Sequence, residues 1–283
     1  MRILVIGATG RIGRHVVDAL RDRSADVRAL TRDPVRASFD DGVEVVAGDL
    51  TVPASLERPL DGADGVFIVW TAPPATMPAV AERLASCGHR VVLLSSPHQT
   101  RHPFFQQPNP MARLHAALEA ALREHVPGAT IVRPGMFASN TVGWWGATIR
   151  RAEVVRWPYM VVETAPIDER DIAAVVATSL LEPGHAGKDY VVTGPEALSH
   201  RAQLQAISAA IGRAIATEEL TPDTFRAQMA ATWPPVALDM LLSAWQATVG
   251  VPAYVTSSVQ DVTGSPARTF GQWAADHRAL FLE

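Results

Sequence analysis

Three glycines, Gly7, Gly10 and Gly13, follow the apolar run Arg2-Ile3-Leu4-Val5-Ile6 at intervals of three. In that pattern each suits one part of holding a dinucleotide's pyrophosphate. Gly7 lets the chain turn sharply off a strand, Gly10 leaves no side chain between phosphate and backbone, and Gly13 lets the next helix pack close. Ile12, His15, Val16, Ala19 and Leu20 then fall at helical spacing. Such a helix aims free N–H groups and the positive end of its dipole at the phosphates. The spacing is GxxGxxG rather than GxGxxG, and its weight comes from standing between a strand and a helix. Gly7, Thr9, Gly10, Arg11, Ile12 and Gly13 are the expected cofactor loop.

A second signal lies in Leu30-Thr31-Arg32-Asp33-Pro34. NAD sites place an acid about 20 residues past the glycines to hold the ribose. Here Thr31 takes that place and Arg32 follows. An arginine pairs with a 2′-phosphate, so NADP(H) is the expected cofactor; the other reading of Arg32 is a solvated charge at a strand end. Asp33-Pro34 reads as the cap of a following helix. Gly48-Asp49-Leu50 either sets Asp49 and Leu50 against the adenine or forms a plain turn.

Candidate groups for chemistry gather after the later strands. Ser95, Ser96 and His98 follow the fifth strand, and His115 lies on the helix opened by Pro110. His115 either hydrogen-bonds the nicotinamide ribose, beside Ser95, or relays a proton, or is a packed helix histidine, and His98 is either a proton donor or a surface-loop histidine, since an imidazole's ordinary pKa lies near physiological pH. Trp70 and Thr71 end the fourth strand, Trp70 either stacking on substrate or filling core. Pro134 and Gly135 end the sixth strand beside the expected nicotinamide. Phe137, Asn140, Trp144 and Trp145, with Phe104, Phe105 and Trp157, fall in loops past strand ends. They suit an apolar substrate pocket for a flat ligand, or else the packing of a cap. No metal-ligand spacing is present.

The elements that position these groups alternate. Strands are expected at 27–31, 43–47, 65–69, 90–95 and 129–133, with helices at 77–86, closed by Gly88, and at 110–122. Apolar strands with helical crossovers imply a parallel sheet covered on both faces, an α/β Rossmann-type doubly wound fold with ligands at the carboxyl ends. Beyond Pro134 the regularity falls. Helices are expected at 168–181, from Ser199 to about Gly212, at 235–249 and near the C-terminus, with a strand at 190–192. Residues 1–140 read as the cofactor domain. Residues 141–283 read as a mixed region, partly returning to the sheet and partly forming a smaller, mostly helical substrate-binding cap.

Composition narrows the class. At 283 residues and 48% apolar content the chain buries a sizeable core, and its net charge of −4 lacks a nucleic-acid footprint. Cys87 is the sole cysteine, which excludes an intrachain disulfide. No apolar run approaches a membrane span, and the sequence opens directly in a strand. A cytoplasmic protein, monomer or homodimer, with no nucleic-acid or membrane partner is the expectation.

The chain resembles the short-chain dehydrogenase/reductase superfamily, and within it the atypical NmrA-like branch. GATGRIG at 7–13, TRDP at 31–34, GDL at 48–50, HAALE at 115–119, TIVRPGMFASN at 130–140 and VTGSPARTFGQWAADH at 262–277 carry the resemblance. It implies NAD(P)H-dependent quinone or ketone reduction, or redox sensing by a regulatory protein. Most of the superfamily protonates substrate with a Tyr-x-x-x-Lys dyad, a tuned phenol acting as general acid. Alignment on Glu119 puts His115 at the lysine position and Met111 at the tyrosine position. The tyrosines Tyr159, Tyr190 and Tyr254 are followed four residues on by Glu163, Gly194 and Ser258, and Lys188 is the only lysine, so no such dyad exists. The expectation is an NADPH-dependent reductase of an aromatic ketone or quinone, its proton coming from solvent, substrate or a histidine. The alternative is a non-enzymatic NADP(H) sensor.

Overall fold

The computed structural model describes residues 1–86 and 90–282. Cys87 and the expected helix stop at Gly88 lie outside them. The first six strands are β1 (Arg2–Ile6), β2 (Asp26–Thr31), β3 (Val43–Ala47), β4 (Gly65–Val69), β5 (Arg90–Leu94) and β6 (Thr130–Pro134). Between them run α1 (Arg11–Asp22), α2 (Glu57–Leu60), α3 (Met77–Ser86) and α4 (Pro110–His125). Beyond them lie α5 (Ala147–Arg150), β7 (Val155–Trp157), β8 (Glu163–Thr164), α6 (Glu169–Leu181) and β9 (Asp189–Val192). β10 (Leu198–Ser199), α7 (His200–Ile211), β11 (Thr217–Glu219), α8 (Pro222–Met229), α9 (Pro235–Ala247), α10 (Ser258–Thr263) and α11 (Phe270–Asp276) complete the chain.

Seven strands form one parallel sheet in the order β3-β2-β1-β4-β5-β6-β9. Connections leave β1 in both directions, so the order reverses between β1 and β4, where doubly wound sheets bind ligands. Side chains alternate between the faces. Ile3 and Val5 join a core with Val16, Leu20 and the α6 residues Val176 and Leu180. Leu4 and Ile6 join Val80, Leu84, Leu118 and Leu122 of α3 and α4 on the other face.

The helix expected after Asp33-Pro34 is absent. The Asp33 carboxylate accepts from the Arg36 N–H at 3.4 Å, and the Ala37 N–H reaches the Pro34 carbonyl at 3.3 Å. These close a turn, and Ser38-Phe39-Asp40-Asp41-Gly42 offers no apolar stripe to extend it. The spacing of Phe270, Trp273, Ala274, His277 and Phe281 predicts one C-terminal helix through Phe281, but α11 stops at Asp276 and a 3-10 turn covers Arg278–Phe281.

The later residues build a second core of Trp145, Trp157, Phe225, Leu242, Trp245 and Trp273. A π-helical turn over Val142–Gly146, not foreseen from the sequence, carries Trp144 and Trp145 into it. α6 is tied to α11 by Arg170, which donates from the same nitrogen to Asp168 at 2.6 Å and Asp276 at 2.7 Å.

Candidate active site at the carboxyl edge of the sheet

The glycine loop is shaped as an anion cradle. Gly7 has φ of +87°, a conformation that side chains disfavour. A Cβ on Gly13 would sit 2.1 Å from the Gly7 carbonyl oxygen, so only glycine lets α1 approach β1 there. A Cβ on Gly10 would meet the same oxygen at 3.2 Å and nothing else nearby. The Gly7 carbonyl is thus the one neighbour that crowds a side chain at Gly10. α1 has no side-chain cap and no acid in its first turn. Its first bond back is from the Arg14 N–H to the Gly10 carbonyl at 3.0 Å, leaving the preceding N–H groups to meet an anion. Thr9, Gly10 and Arg11 are exposed, while Ile12 packs beneath the loop. These features fit a dinucleotide pyrophosphate.

Arg32 is exposed at the end of β2 and makes no hydrogen bond or ion pair among the described residues. Asp49 accepts from the Thr51 N–H at 2.8 Å. That bond holds its carboxyl below the usual range, with the Arg32 charge a lesser contributor. Leu50 is buried beside it. Trp70 is half-buried against the α3–α4 core, its indole N–H donating to the Ala72 carbonyl at 2.6 Å, and Thr71 is exposed next to it.

Past β5 the chain assembles a polar cluster. His115 and Glu119 lie one turn apart on α4 and so share a face. Glu119 is 3% exposed. Arg133, from the end of β6, grips it with two bonds of 2.9 and 2.5 Å, and the Ser95 hydroxyl donates to it at 2.5 Å. Burial pushes the Glu119 carboxyl up, but the Arg133 and Ser95 bonds prevail and hold it ionised below its ordinary range. His115 Nδ1 lies 2.8 Å from the Ser96 hydroxyl. Burial and then the nearby His98 lower the His115 pKa, against the pull of Glu119. His98 donates from Nδ1 to the Ser96 carbonyl at 2.9 Å, and that nitrogen lies 3.9 Å from Glu119 Oε1.

The structure thus brings Ser95, Ser96, His98 and His115 together as one group. Met111 is 48% exposed near the start of α4. A void of about 80 Å³ beside the cluster is lined by Ser96, His98, Phe104, Phe105 and Leu241 of α9. A wider cleft of about 490 Å³ lies by the glycine loop, between Arg11, Asn140, Trp144 and Trp233. Arg11 reaches across to donate to the Ser139 hydroxyl at 2.5 Å, and Ser139 in turn bonds Glu169. Pro134 is buried, Gly135 half-buried, and Phe137 bridges to Ile167.

Trp145 requires correction. It was expected at a pocket wall, yet it is 1% exposed and packs edge-on against Trp157 at 5.6 Å inside the cap. Trp157 is sealed there too. Trp144 is half-buried, part of the same aromatic stack but also on the cleft. The sequence reading missed the Glu119–Arg133 pair and the Arg11–Ser139–Glu169 link. Arginines and acids far apart in sequence carry no periodic signal, and only the crossing of α4 and β6 joins the first pair.

Residues 7–183 match a family model described as NAD(P)H-binding. The chain belongs to the NAD(P)H-binding family. It is 40% identical over 284 residues to a (4-alkanoyl-5-oxo-2,5-dihydrofuran-3-yl)methyl phosphate reductase of Streptomyces griseus, covering 99% of each chain. It is 32% identical to an NAD(P)H azoreductase of Xenophilus azovorans, again over 99% of both. Among solved structures, the NADPH-dependent quinone oxidoreductase of Escherichia coli bound to NADPH superposes with a TM-score of 0.80 at 20% identity, covering 98% of this chain and 99% of that one. The triphenylmethane reductase of Citrobacter with NADP(H) gives 0.79 at 19%, covering 98% and 100%. This family member is an NAD(P)H-dependent oxidoreductase with a Rossmann-type fold. Among its described residues, no helix is long and apolar enough to cross a membrane.

Proposed function

We propose that this protein uses NADPH to reduce a ketone or quinone on a bulky aromatic or otherwise conjugated small molecule. The observation that carries this reading is the composition of the carboxyl-edge cluster. Ser96 and His98 line a void beside the sheet, Ser95 and His115 are bonded into the same cluster, and no tyrosine is among the four. Such a site suits acceptors in which conjugation spreads the charge that develops as hydride arrives. The names of the relatives, an alkanoyl oxo-dihydrofuran, an azo compound, a quinone and a triphenylmethane, are of that electron-poor, conjugated kind.

Bound NADPH supplies a hydride from its nicotinamide. Gly7, Thr9, Gly10, Arg11, Ile12 and Gly13 would hold its pyrophosphate, Arg32 the 2′-phosphate, and Asp49 with Leu50 the adenine. His115 would hold the nicotinamide ribose, bordered by Ser95, Trp70, Thr71, Pro134 and Gly135. His98, Phe137, Asn140 and Trp144 would wall the acceptor. Positioning of this kind supplies much of a rate enhancement by itself. The void of about 80 Å³ is small against ligand pockets of roughly 300 Å³ or more. A bulky acceptor therefore enters by shifting Phe104 and Phe105.

The test is a screen of NADPH and NADH oxidation against quinones and polycyclic aromatic ketones, followed by the absorbance of the reduced nicotinamide. Turnover with NADPH and at least one acceptor is expected. Oxidation with none of them, alongside tight cofactor binding, would sink the reading.

A further inference from the structure

We infer that His98 is the proton donor to the acceptor's oxygen, a role that rests on the reductase reading above. The ring's orientation is fixed at one end. A carbonyl oxygen only accepts, so the contact with the Ser96 carbonyl at 2.9 Å places a hydrogen on Nδ1. The other nitrogen, Nε2, is buried and has no hydrogen-bond partner. Burying such an atom unpaired is costly, and a native site that keeps one calls for an explanation. The explanation lies in what the ring borders. His98 lines the void past β5, whose remaining wall includes the apolar Phe104, Phe105, Leu241 and Ala244. When Nε2 carries hydrogen, an acceptor oxygen admitted there by a shift of Phe104 and Phe105 is the partner that it lacks.

The surrounding charges favour a donor over a passive contact. The carboxylate of Glu119 lies 3.9 Å from Nδ1, and Arg133 and Ser95 hold it ionised in place. Before the step both ring nitrogens carry hydrogen, and Glu119 is the carboxylate that faces the ring. His115 also faces His98 from α4, and burial lowers its pKa. It is the weaker candidate, because it does not line the void. In the step, hydride adds to the carbonyl carbon while the Nε2–H bond breaks and an O–H bond forms on the former carbonyl oxygen. The acceptor leaves as an alcohol, and the ring becomes neutral with Nδ1–H still on Ser96. Solvent then returns the proton to Nε2.

The two acceptor classes separate this role from a structural one. A quinone's reduced anion is stabilised by its own ring and needs no proton in the hydride step, whereas a plain aromatic ketone does. Single-turnover NADPH oxidation is measured for the parent, His98→Gln and His98→Ala with a benzoquinone and with a polycyclic aromatic ketone. Ketone reduction is expected to fall about a hundredfold in both variants, and quinone reduction by no more than roughly tenfold through the altered wall, as loss of a general acid predicts. NADPH affinity, read by fluorescence, should stay at the parent value, which also certifies that the variants fold. Added imidazole should restore part of the ketone rate of His98→Ala. An equal fall with both acceptors, or no fall with the ketone, overturns the proposal. A parent that reduces the quinone but never the ketone overturns it too, while leaving the reductase reading intact. A parent that oxidises NADPH with neither overturns both.

Discussion

Two parts of the molecule hold a buried imidazole in the same way and with opposite consequences. At the carboxyl edge of the sheet, His98 donates from Nδ1 to the Ser96 carbonyl at 2.9 Å. In the cap, His200 at the start of α7 donates from Nδ1 to the Tyr159 carbonyl at 3.0 Å. Neither Nε2 has a partner. The neighbours differ. His98 has a carboxylate 3.9 Å away and borders a void. His200 is fully buried among indoles, with Trp245 at 5.0 Å between centroids and Trp145 at 6.1 Å. Burial pushes its pKa down to about 4, so it stays neutral. The same anchored ring meets a counter-charge and an opening at the carboxyl edge, and packed rings in the cap.

The sharpest way to break the carboxyl edge without touching the cap is Gly10→Val. The backbone at Gly10, φ −77° and ψ 170°, accepts any residue, and an added Cβ meets only the Gly7 carbonyl oxygen, tightly, at 3.2 Å. The variant should fold, melt at most a few degrees below the parent, and lose detectable NADPH binding in a fluorescence titration. Gly13→Ala is the contrast: its Cβ would collide with the Gly7 carbonyl at 2.1 Å, so it should damage the fold itself. Normal cofactor affinity in a folded Gly10→Val protein would mean that the loop does not hold phosphates.

Acid should break the cap instead. His200 has a folded pKa near 4 against an ordinary 6.5, so the unfolded chain binds the extra proton. The stability it contributes is fully present above pH 6.5 and is lost as pH falls toward 4, amounting to about 3 kcal/mol. Urea unfolding across that range should therefore show a steeper loss in the parent than in His200→Gln. Equal pH dependence in the two proteins would mean that the ring is not held neutral by the cap.

Smaller effects sharpen the cofactor end. Arg32→Asp should weaken NADPH binding by roughly tenfold to a hundredfold, the worth of a charge-assisted hydrogen bond, and bring it near NADH. Equal affinities for the two cofactors in the parent would remove the role given to Arg32. His115→Ala should slow turnover on the order of tenfold through poorer cofactor positioning. A fall beyond a hundredfold at unchanged NADPH affinity would instead make it the essential acid.

The contrast between the two regions also explains what could be read from the sequence. The sheet and the glycine loop declare themselves locally, since strand runs such as Val66-Phe67-Ile68 and the spacing of Gly7, Gly10 and Gly13 are set by neighbours in sequence. Ser95, Ser96 and His115 were found as strand-end and helix residues. The cap was read less well. Trp145, Trp157 and Trp245 meet only because a π-helical turn, a short strand and α9 converge, and no periodicity announces such a meeting. Aromatic residues in an apparent loop look alike whether they will line a cleft or be sealed in a core. Asp33-Pro34 misled for a related reason: a cap residue signals a helix only when an apolar stripe follows it.

The central claim is that the carboxyl edge delivers hydride to a conjugated acceptor without a tyrosine. Single-turnover oxidation of NADPH, compared with NADPH deuterated at both positions of nicotinamide C4, tests it most directly, using the quinone and the ketone in turn. The account predicts that oxidation depends on the acceptor and slows measurably with the deuterated cofactor. Tightly bound NADPH that neither acceptor oxidises would contradict it.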